Sequence, residues 1–383
     1  MVETRYDMAD IEATFRHFAA LGLKLKDRKV DVGADNITSV ITHEPVGVCA
    51  LIGPWNYPLL QISWKVAPAL VAGCSFIIKP SELSPSTAIH LMKLLEEAGL
   101  PKGVANLICG AGATAGAPLA EDPRVDLVSF TGGLVTGRRI MATAAQTVKK
   151  VALELGGKSP QVVLNDCTDL EAAASTIAWA IYYNAGQTCN AGSRIIVEKG
   201  VKEELFAHLH KFLESFVVGN QFDPTTQMAG LVSELQRDRV NAYLDLVGQD
   251  GEKIVYGGEK TSGKDLLIKP TLIDNVKPGS RLAQEEIFGP VLVAIDAKDE
   301  AEALQLANGT EYGLAASVWT NNVARAHKFA RKLRAGTVWV NTFDMLDVIT
   351  PFGGFGASGN GRDKSLHALD AYSALKTTWV DLN

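Results

Sequence analysis

The chain has 383 residues, 47% of them hydrophobic, with a net charge of −6 and a pI of about 5.7. That length supports two domains with full cores, and the mild acidity without any basic run argues against nucleic acid as a partner. No apolar stretch approaches membrane-spanning length, and the mixed-charge start Met1-Val2-Glu3-Thr4-Arg5 lacks the form of a secretory leader, so no membrane partner is expected.

Five scattered cysteines, Cys49, Cys74, Cys109, Cys167 and Cys189, do not make a disulfide framework, and no CxxC pair suggests zinc. No metal is expected, and a reducing cytoplasm is the expected compartment. In chain order, the first pattern is Asn36–Thr42, which alternates like an exposed strand in need of a partner. From Val46 to Glu154, apolar runs at 46–52, 74–78, 104–108, 125–130 and 148–155 alternate with helical stretches. Five such strands with intervening helices imply an α/β, doubly wound parallel sheet covered on both faces. The clearest helix spans Ser84–Ala98, with Ser84 as cap, Pro85 in the first position and Gly99 at the end.

Ligands in such sheets bind beyond the carboxyl ends of the strands, and the segments there are chemically marked. Gly53-Pro54-Trp55-Asn56-Tyr57-Pro58 follows the first strand. The Asn56 amide can donate to a developing oxyanion, or it can simply cap the helix that Pro58 opens. Lys79-Pro80-Ser81-Glu82 follows the second strand. Its Lys and Glu can hold ribose hydroxyls, the acid favouring NAD over a 2′-phosphate; a plain surface turn is the alternative. Two glycine clusters, Gly110–Gly116 and Thr131–Gly137, compete for phosphates, and the second opens a helix whose N–H groups can cradle a pyrophosphate. Glu154 alternates with Leu153 and Leu155 at the last strand. A carboxylate beside an apolar pocket has a raised pKa and serves as a general base; a solvated strand end is the alternative.

The α/β alternation resumes from Gln161 to Asn341. Thr168-Asp169-Leu170-Glu171 reads as a capping box, and Leu170, Ala173, Ala174, Ile177, Ala178 and Ile181 share one helical face that Gly186 ends. Cys189 follows, ahead of the strand-like Arg194–Glu198. A lone cysteine is a small core residue or, beside a base, a nucleophile; the other four read as core residues. Lys376–Val380 is a second exposed strand.

Together these motifs resemble the aldehyde dehydrogenase superfamily. The residues that carry the resemblance are Pro54-Trp55-Asn56, Lys79-Pro80-Ser81-Glu82, Phe130-Thr131-Gly132, Glu154-Leu155-Gly156-Gly157-Lys158, Gly186-Gln187-Thr188-Cys189, Glu285–Pro290 and Pro351–Phe355. The resemblance implies oxidation of an aldehyde to a carboxylic acid with NAD, NADP being the alternative. Cys189 would attack the aldehyde, Asn56 and the Cys189 N–H would hold the oxyanion, and Glu154 would activate the hydrolytic water. Lys79, Glu82 and Glu286 would hold the riboses, Gly132, Gly133 and Gly137 the phosphates, and Gly112 and Gly116 the adenine side. Phe288 would pack near the nicotinamide, and Ile52, Pro54, Trp55, Ser81, Thr131 and Leu155 would border the cofactor.

The implied domains are an N-terminal remnant with oligomerisation strands (1–45), a cofactor domain (46–157), a second α/β catalytic domain (158–357) and a C-terminal segment (358–383). Asn36–Glu44 and Ser373–Asn383 match the strands that join subunits, so a homodimer or homotetramer is expected. Three departures stand out: family members carry a longer N-terminal arm, Gly133-Leu134 replaces a polar pair, and Gly356 stands where a lysine is usual.

Gly359–Ser365 resembles the branch that oxidises amino-aldehydes. Tyr57 and Trp64 can supply aromatic walls, Asp344 or Asp347 can pair with a substrate ammonium, and Thr188 would adjoin the substrate. The plainer reading makes those aspartates solvated loop charges. Two alternatives are a non-catalytic protein that keeps the fold and binds nucleotide, and a coenzyme A-acylating relative. The presence of Glu154 opposes the second.

Overall fold

The structure, a computed structural model, describes residues 2–383, which divide into two compact units. The first comprises 2–154, 347–352 and 359–383; the second comprises 155–346 and 353–358.

The first unit opens with helix α1 (Val2–Gly22), followed by strands β1 (Arg28–Val30) and β2 (Ile37–Pro45). Its main sheet is built from β3 (Val48–Ile52), β4 (Ser75–Lys79), β5 (Ala105–Leu107), β6 (Leu127–Thr131) and β7 (Lys150–Glu154). All five are parallel in the order β5-β4-β3-β6-β7, the doubly wound arrangement expected from the apolar runs. The order reverses between β3 and β6, so a ligand crevice is expected beyond their carboxyl ends. Helix α2 (Pro58–Ala72) covers the sheet, with Pro58 at its start and Ile62, Val66 and Ala69 in a core shared with Cys49, Phe76 and Leu127. Helices α3 (Ser86–Glu97), α4 (Ala117–Glu121) and α5 (Leu134–Ala144) complete the crossovers.

The second unit carries β8 (Pro160–Val163), β9 (Arg194–Glu198), β10 (Lys253–Tyr256), β11 (Thr271–Asp274), β12 (Val291–Ala297), β13 (Ala315–Trp319) and β14 (Thr337–Val340). They form one sheet in the order β10-β11-β12-β9-β8-β13-β14, parallel except at β10. Helix α6 (Leu170–Tyr182) buries the face foreseen from its apolar spacing. Strand β15 (Ser373–Asp381) returns to the first unit and pairs antiparallel with β2 along its whole length, so each exposed strand finds its partner within the chain.

Three local expectations are corrected. Ser84 does not cap α3: Pro85 holds the cap position, and the Ser84 hydroxyl donates to the Trp55 carbonyl at 3.4 Å. The cap of α6 is Asp169, not Thr168: the backbone turns helical only at Leu170, and the Asp169 carboxylate accepts from the Ala172 N–H at 3.0 Å. Cys109 is exposed, since β5 ends before it, whereas Cys49, Cys74 and Cys167 are buried.

Helix α1 turns Glu3, Asp7 and Asp10 to one half-buried face above Ile11 and Thr14. Burial pushes the Asp7 carboxyl up to about 7, and the neighbouring charges of Glu3 and Asp10 add to this. A raised native pKa means the folded chain holds this proton more tightly than the unfolded chain, so stability falls as pH rises from the ordinary aspartate range to about 7. Asp7→Asn is therefore expected to raise the melting temperature by a few degrees at pH 8 and to change nothing at pH 4, as followed by circular dichroism. A stabilisation equal at both pH values would contradict the assignment.

Candidate active site

The first unit gathers most of the marked residues at the carboxyl ends of its strands. Asn56 is buried on the short link between β3 and α2. Tyr57, not Asn56, occupies the helix cap, in a left-handed conformation with φ 48°. The Asn56 carbonyl accepts from the Gln61 amide at 3.3 Å, which fixes the backbone and aims the residue. At the end of β4, buried Lys79 donates to Glu82 at 3.2 Å. Hydrogen bonding by its own backbone N–H, together with Lys79, holds the Glu82 carboxyl below the usual range.

Thr131 ends β6, and its buried hydroxyl has no hydrogen-bond partner. Just beyond it, Gly133 caps α5 with extended backbone, leaving the first-turn N–H groups at a helix start. An orphaned hydroxyl, a helix N-terminus and a Lys–Glu pair along one sheet edge fit a nucleotide's phosphates and ribose.

Glu154 ends β7 and is buried, and neither carboxylate oxygen has a hydrogen-bond partner. Burial raises its pKa well above the ordinary value, the Asp363 charge adds to this, and Lys65 and Arg362 oppose it. Lys65 and Asp363 form a fully buried pair at 3.0 Å. A carboxylate with this environment is a strong base once ionised. Sequence reading singled out Glu154 but missed Lys65, Asp363 and Arg362. The available signal was Lys65 itself, a lone charge amid the apolar residues of α2. Trp64, next to it, is nearly buried and packs on Phe352 with ring centroids 5.5 Å apart.

The second unit presents Cys189 on a turn after α6. Asn184 and Ala185 adopt left-handed backbone, a conformation that costs energy outside glycine and recurs at functional turns. Gln187 ties the turn down: its amide donates to the Asn184 carbonyl at 3.0 Å and accepts from the Val232 N–H at 2.9 Å. Thr188 and Cys189 are half-buried. The Cys189 carbonyl lies against Gly157, where a Cβ would come within 2.7 Å of it, and a Cβ on Gly156 would meet the Glu286 carboxylate at 2.2 Å. Gly157 is thus needed for the close approach of backbone, whereas at Gly156 the Glu286 side chain would have to shift. Glu286 accepts from the Gly157 N–H at 3.1 Å, and burial pushes its carboxyl up to about 7. Phe288 follows on the same loop with φ 62°.

Asp344 is exposed and accepts from the buried Asn190 amide at 2.7 Å, so the neighbour of Cys189 anchors the 342–347 loop. Trp339 supports that loop by packing tilted on Phe343 and donating to the Met345 carbonyl at 3.0 Å. Asp347, in the first unit, is exposed and accepts from the Ile349 N–H at 3.0 Å. Asn190 was missed because nothing in its spacing marks a side-chain bond across 154 residues. Among the described residues no cluster of metal-ligating side chains occurs, and no helix is long and apolar enough to cross a membrane.

A nucleotide-fitting sheet edge, a turn-borne thiol and a buried carboxylate are the features of a cysteine-dependent oxidoreductase. Comparison with known proteins names the class: the family model "Aldehyde dehydrogenase family" matches residues 1–378, and the chain belongs to that family. It is 43% identical over 378 residues to betaine aldehyde dehydrogenase of Bacillus subtilis, covering 98% of this chain and 77% of that protein. It is 42% identical over 377 residues to aminoacetaldehyde dehydrogenase of Pseudomonas aeruginosa, covering 98% of this chain and 75% of that protein. Among solved structures, betaine aldehyde dehydrogenase of Staphylococcus aureus in complex with NAD+ superposes with a TM-score of 0.96 at 41% identity, covering 100% of this chain and 76% of that one.

Proposed function

We propose that this aldehyde dehydrogenase oxidises a small aldehyde bearing a cationic nitrogen, with NAD as the hydride acceptor. The observation that carries the catalytic reading is the buried, hydrogen-bond-free Glu154 with its raised pKa, because a structural carboxylate would be paired. When bound, NAD supplies the hydride acceptor that turns the aldehyde into an acyl group. Cys189 attacks the aldehyde carbon as a thiolate and forms a thiohemiacetal. The Asn56 amide and the Cys189 N–H stabilise its oxyanion. After oxidation the acyl group is a thioester on Cys189. Glu154 removes a proton from the attacking water, the thioester C–S bond breaks, and the thiol leaves with the proton. Glu154 opposes coenzyme A acylation, which needs no such base.

Lys79 and Glu82, with Ser81, hold the adenine-side ribose in this reading, and Glu82 favours NAD over NADP by repelling a 2′-phosphate. Thr131, Gly132, Gly133 and Gly137 serve the phosphates, Gly112 and Gly116 the adenine, Ile52, Pro54, Trp55 and Leu155 the cofactor walls, and Glu286 and Phe288 the nicotinamide end. Tyr57, Trp64 and Thr188 are the candidate substrate contacts, with Asp344 and Asp347 as candidate carboxylates for the cation. Betaine aldehyde and aminoacetaldehyde, named in the relatives, both carry such a cation, which supports the substrate class. Exposed Leu375, Trp379 and Val380 on β15 support a second copy as partner, in a homodimer or homotetramer, and the unpaired cysteines favour a cytoplasmic setting.

Steady-state kinetics test the substrate class. We expect kcat/KM for 4-aminobutanal to exceed that for hexanal by about tenfold, the scale of one desolvated cation–π contact. Equal values would remove the support for a cationic substrate.

A further inference from the structure

Lys364 is an anomaly in the first unit. It follows Asp363 with φ 63°, in the left-handed region where a long side chain is unusual, and its side chain is only 1% exposed. A buried lysine needs a reason and a partner. Its ammonium lies 3.3 Å from the Asp10 carboxylate on α1 and 4.9 Å from the centre of the Trp64 ring. Carboxylate and indole together are a cation-binding arrangement, and the chain has filled it with its own cation. Phe352 packs tilted against the same indole, so Lys364 and Phe352 leave only a small part of Trp64, 6% exposed, for a substrate to meet.

We propose that Lys364 is a specificity-determining residue: its tethered ammonium sits on Trp64 and weakens the hold of that aromatic wall on a cationic aldehyde. The inference rests on the reading of Trp64 as a substrate wall. Two cations sharing one indole repel each other, and each polarises the ring against the other. Asp10 partly neutralises Lys364 and so limits the penalty. Lys364 discriminates by charge and not by size, because its contacts with Trp64 and Asp10 are electrostatic.

The test uses an isosteric pair, betaine aldehyde and 3,3-dimethylbutanal, which differ by one positive charge at the branched atom. The readout is the ratio of kcat/KM for the cation to kcat/KM for its neutral twin, measured at pH 8.5 on the full chain. Lys364 also opposes the upward push of burial on the Asp363 carboxyl, so turnover of both aldehydes will shift in the variant, and the ratio removes that shared effect. Lys364→Met is expected to raise the ratio about tenfold. Asp10→Asn, which leaves the ammonium less neutralised, is expected to lower it about threefold.

Opposite shifts are the signature, since a merely structural role moves both substrates in parallel. A ratio within twofold of wild type in Lys364→Met, or a fall, would overturn the proposal. If that variant fails to fold, an unchanged ratio in Asp10→Asn overturns it. Preference of the wild type for the neutral twin would count against the cationic-substrate reading, and the direction of the shifts would still decide the role of Lys364.

Discussion

Replacing Cys189 by alanine is expected to abolish NADH production while leaving NAD binding nearly intact. The loss should be about 10⁴-fold or more, the scale on which a nucleophile acting in concert with other groups is missed. In the proposed mechanism the sulfur bonds the aldehyde carbon, so without it no thiohemiacetal would form and hydride would have no activated carbon to leave. Alanine keeps the backbone of the turn, which Gln187 and the close contact with Gly157 hold independently of the side chain. The groups that fit the nucleotide, Lys79, Glu82 and Thr131, belong to the other unit and are untouched. Tryptophan fluorescence on NAD titration and NADH absorbance in the same preparation separate the two effects. Turnover near the wild-type rate would remove the thiol from the mechanism, and loss of NAD binding would mean that the variant had damaged more than the nucleophile.

Asn56→Ala carries the second largest expectation, a fall in kcat of about 10²–10³-fold, as removal of one oxyanion donor produces. The effect should fall on kcat more than on KM, because charge on the aldehyde oxygen develops only as the carbon–sulfur bond forms. The substitution is selective. The Asn56 carbonyl that receives the Gln61 hydrogen bond remains, and the cap of α2 belongs to Tyr57. Unchanged kcat would return Asn56 to a structural role.

The parallel sheet of the first unit was legible because each of its strands is a short apolar run bounded by turn residues, a pattern set by burial on both faces. That Lys79 and Thr131 end strands and Gly133 opens a helix was legible for the same reason, since turn residues mark where an apolar run stops. Local caps were less legible: Ser84 and Thr168 have the right chemistry, but Pro85 and Asp169 take the positions, since cap choice depends on backbone angles that composition does not encode. The charged surroundings of Glu154 were invisible for a different reason. Lys65 and Asp363 meet across 298 residues, and only folding brings a lysine of α2 against the carboxylate that follows Arg362. The same holds for Asn190 and Asp344.

The claim on which the account turns is that Glu154 hydrolyses an acyl group carried by Cys189. Rapid mixing of Glu154→Gln with NAD and aldehyde, followed by intact-mass measurement, tests it directly. Loss of the general base should slow deacylation by about 10²–10⁴-fold. The account predicts a burst of about one NADH per active site, then a stall, with the acyl group retained on the Cys189 peptide. Continued turnover at the wild-type rate, or a stalled enzyme with an unmodified Cys189, would contradict it.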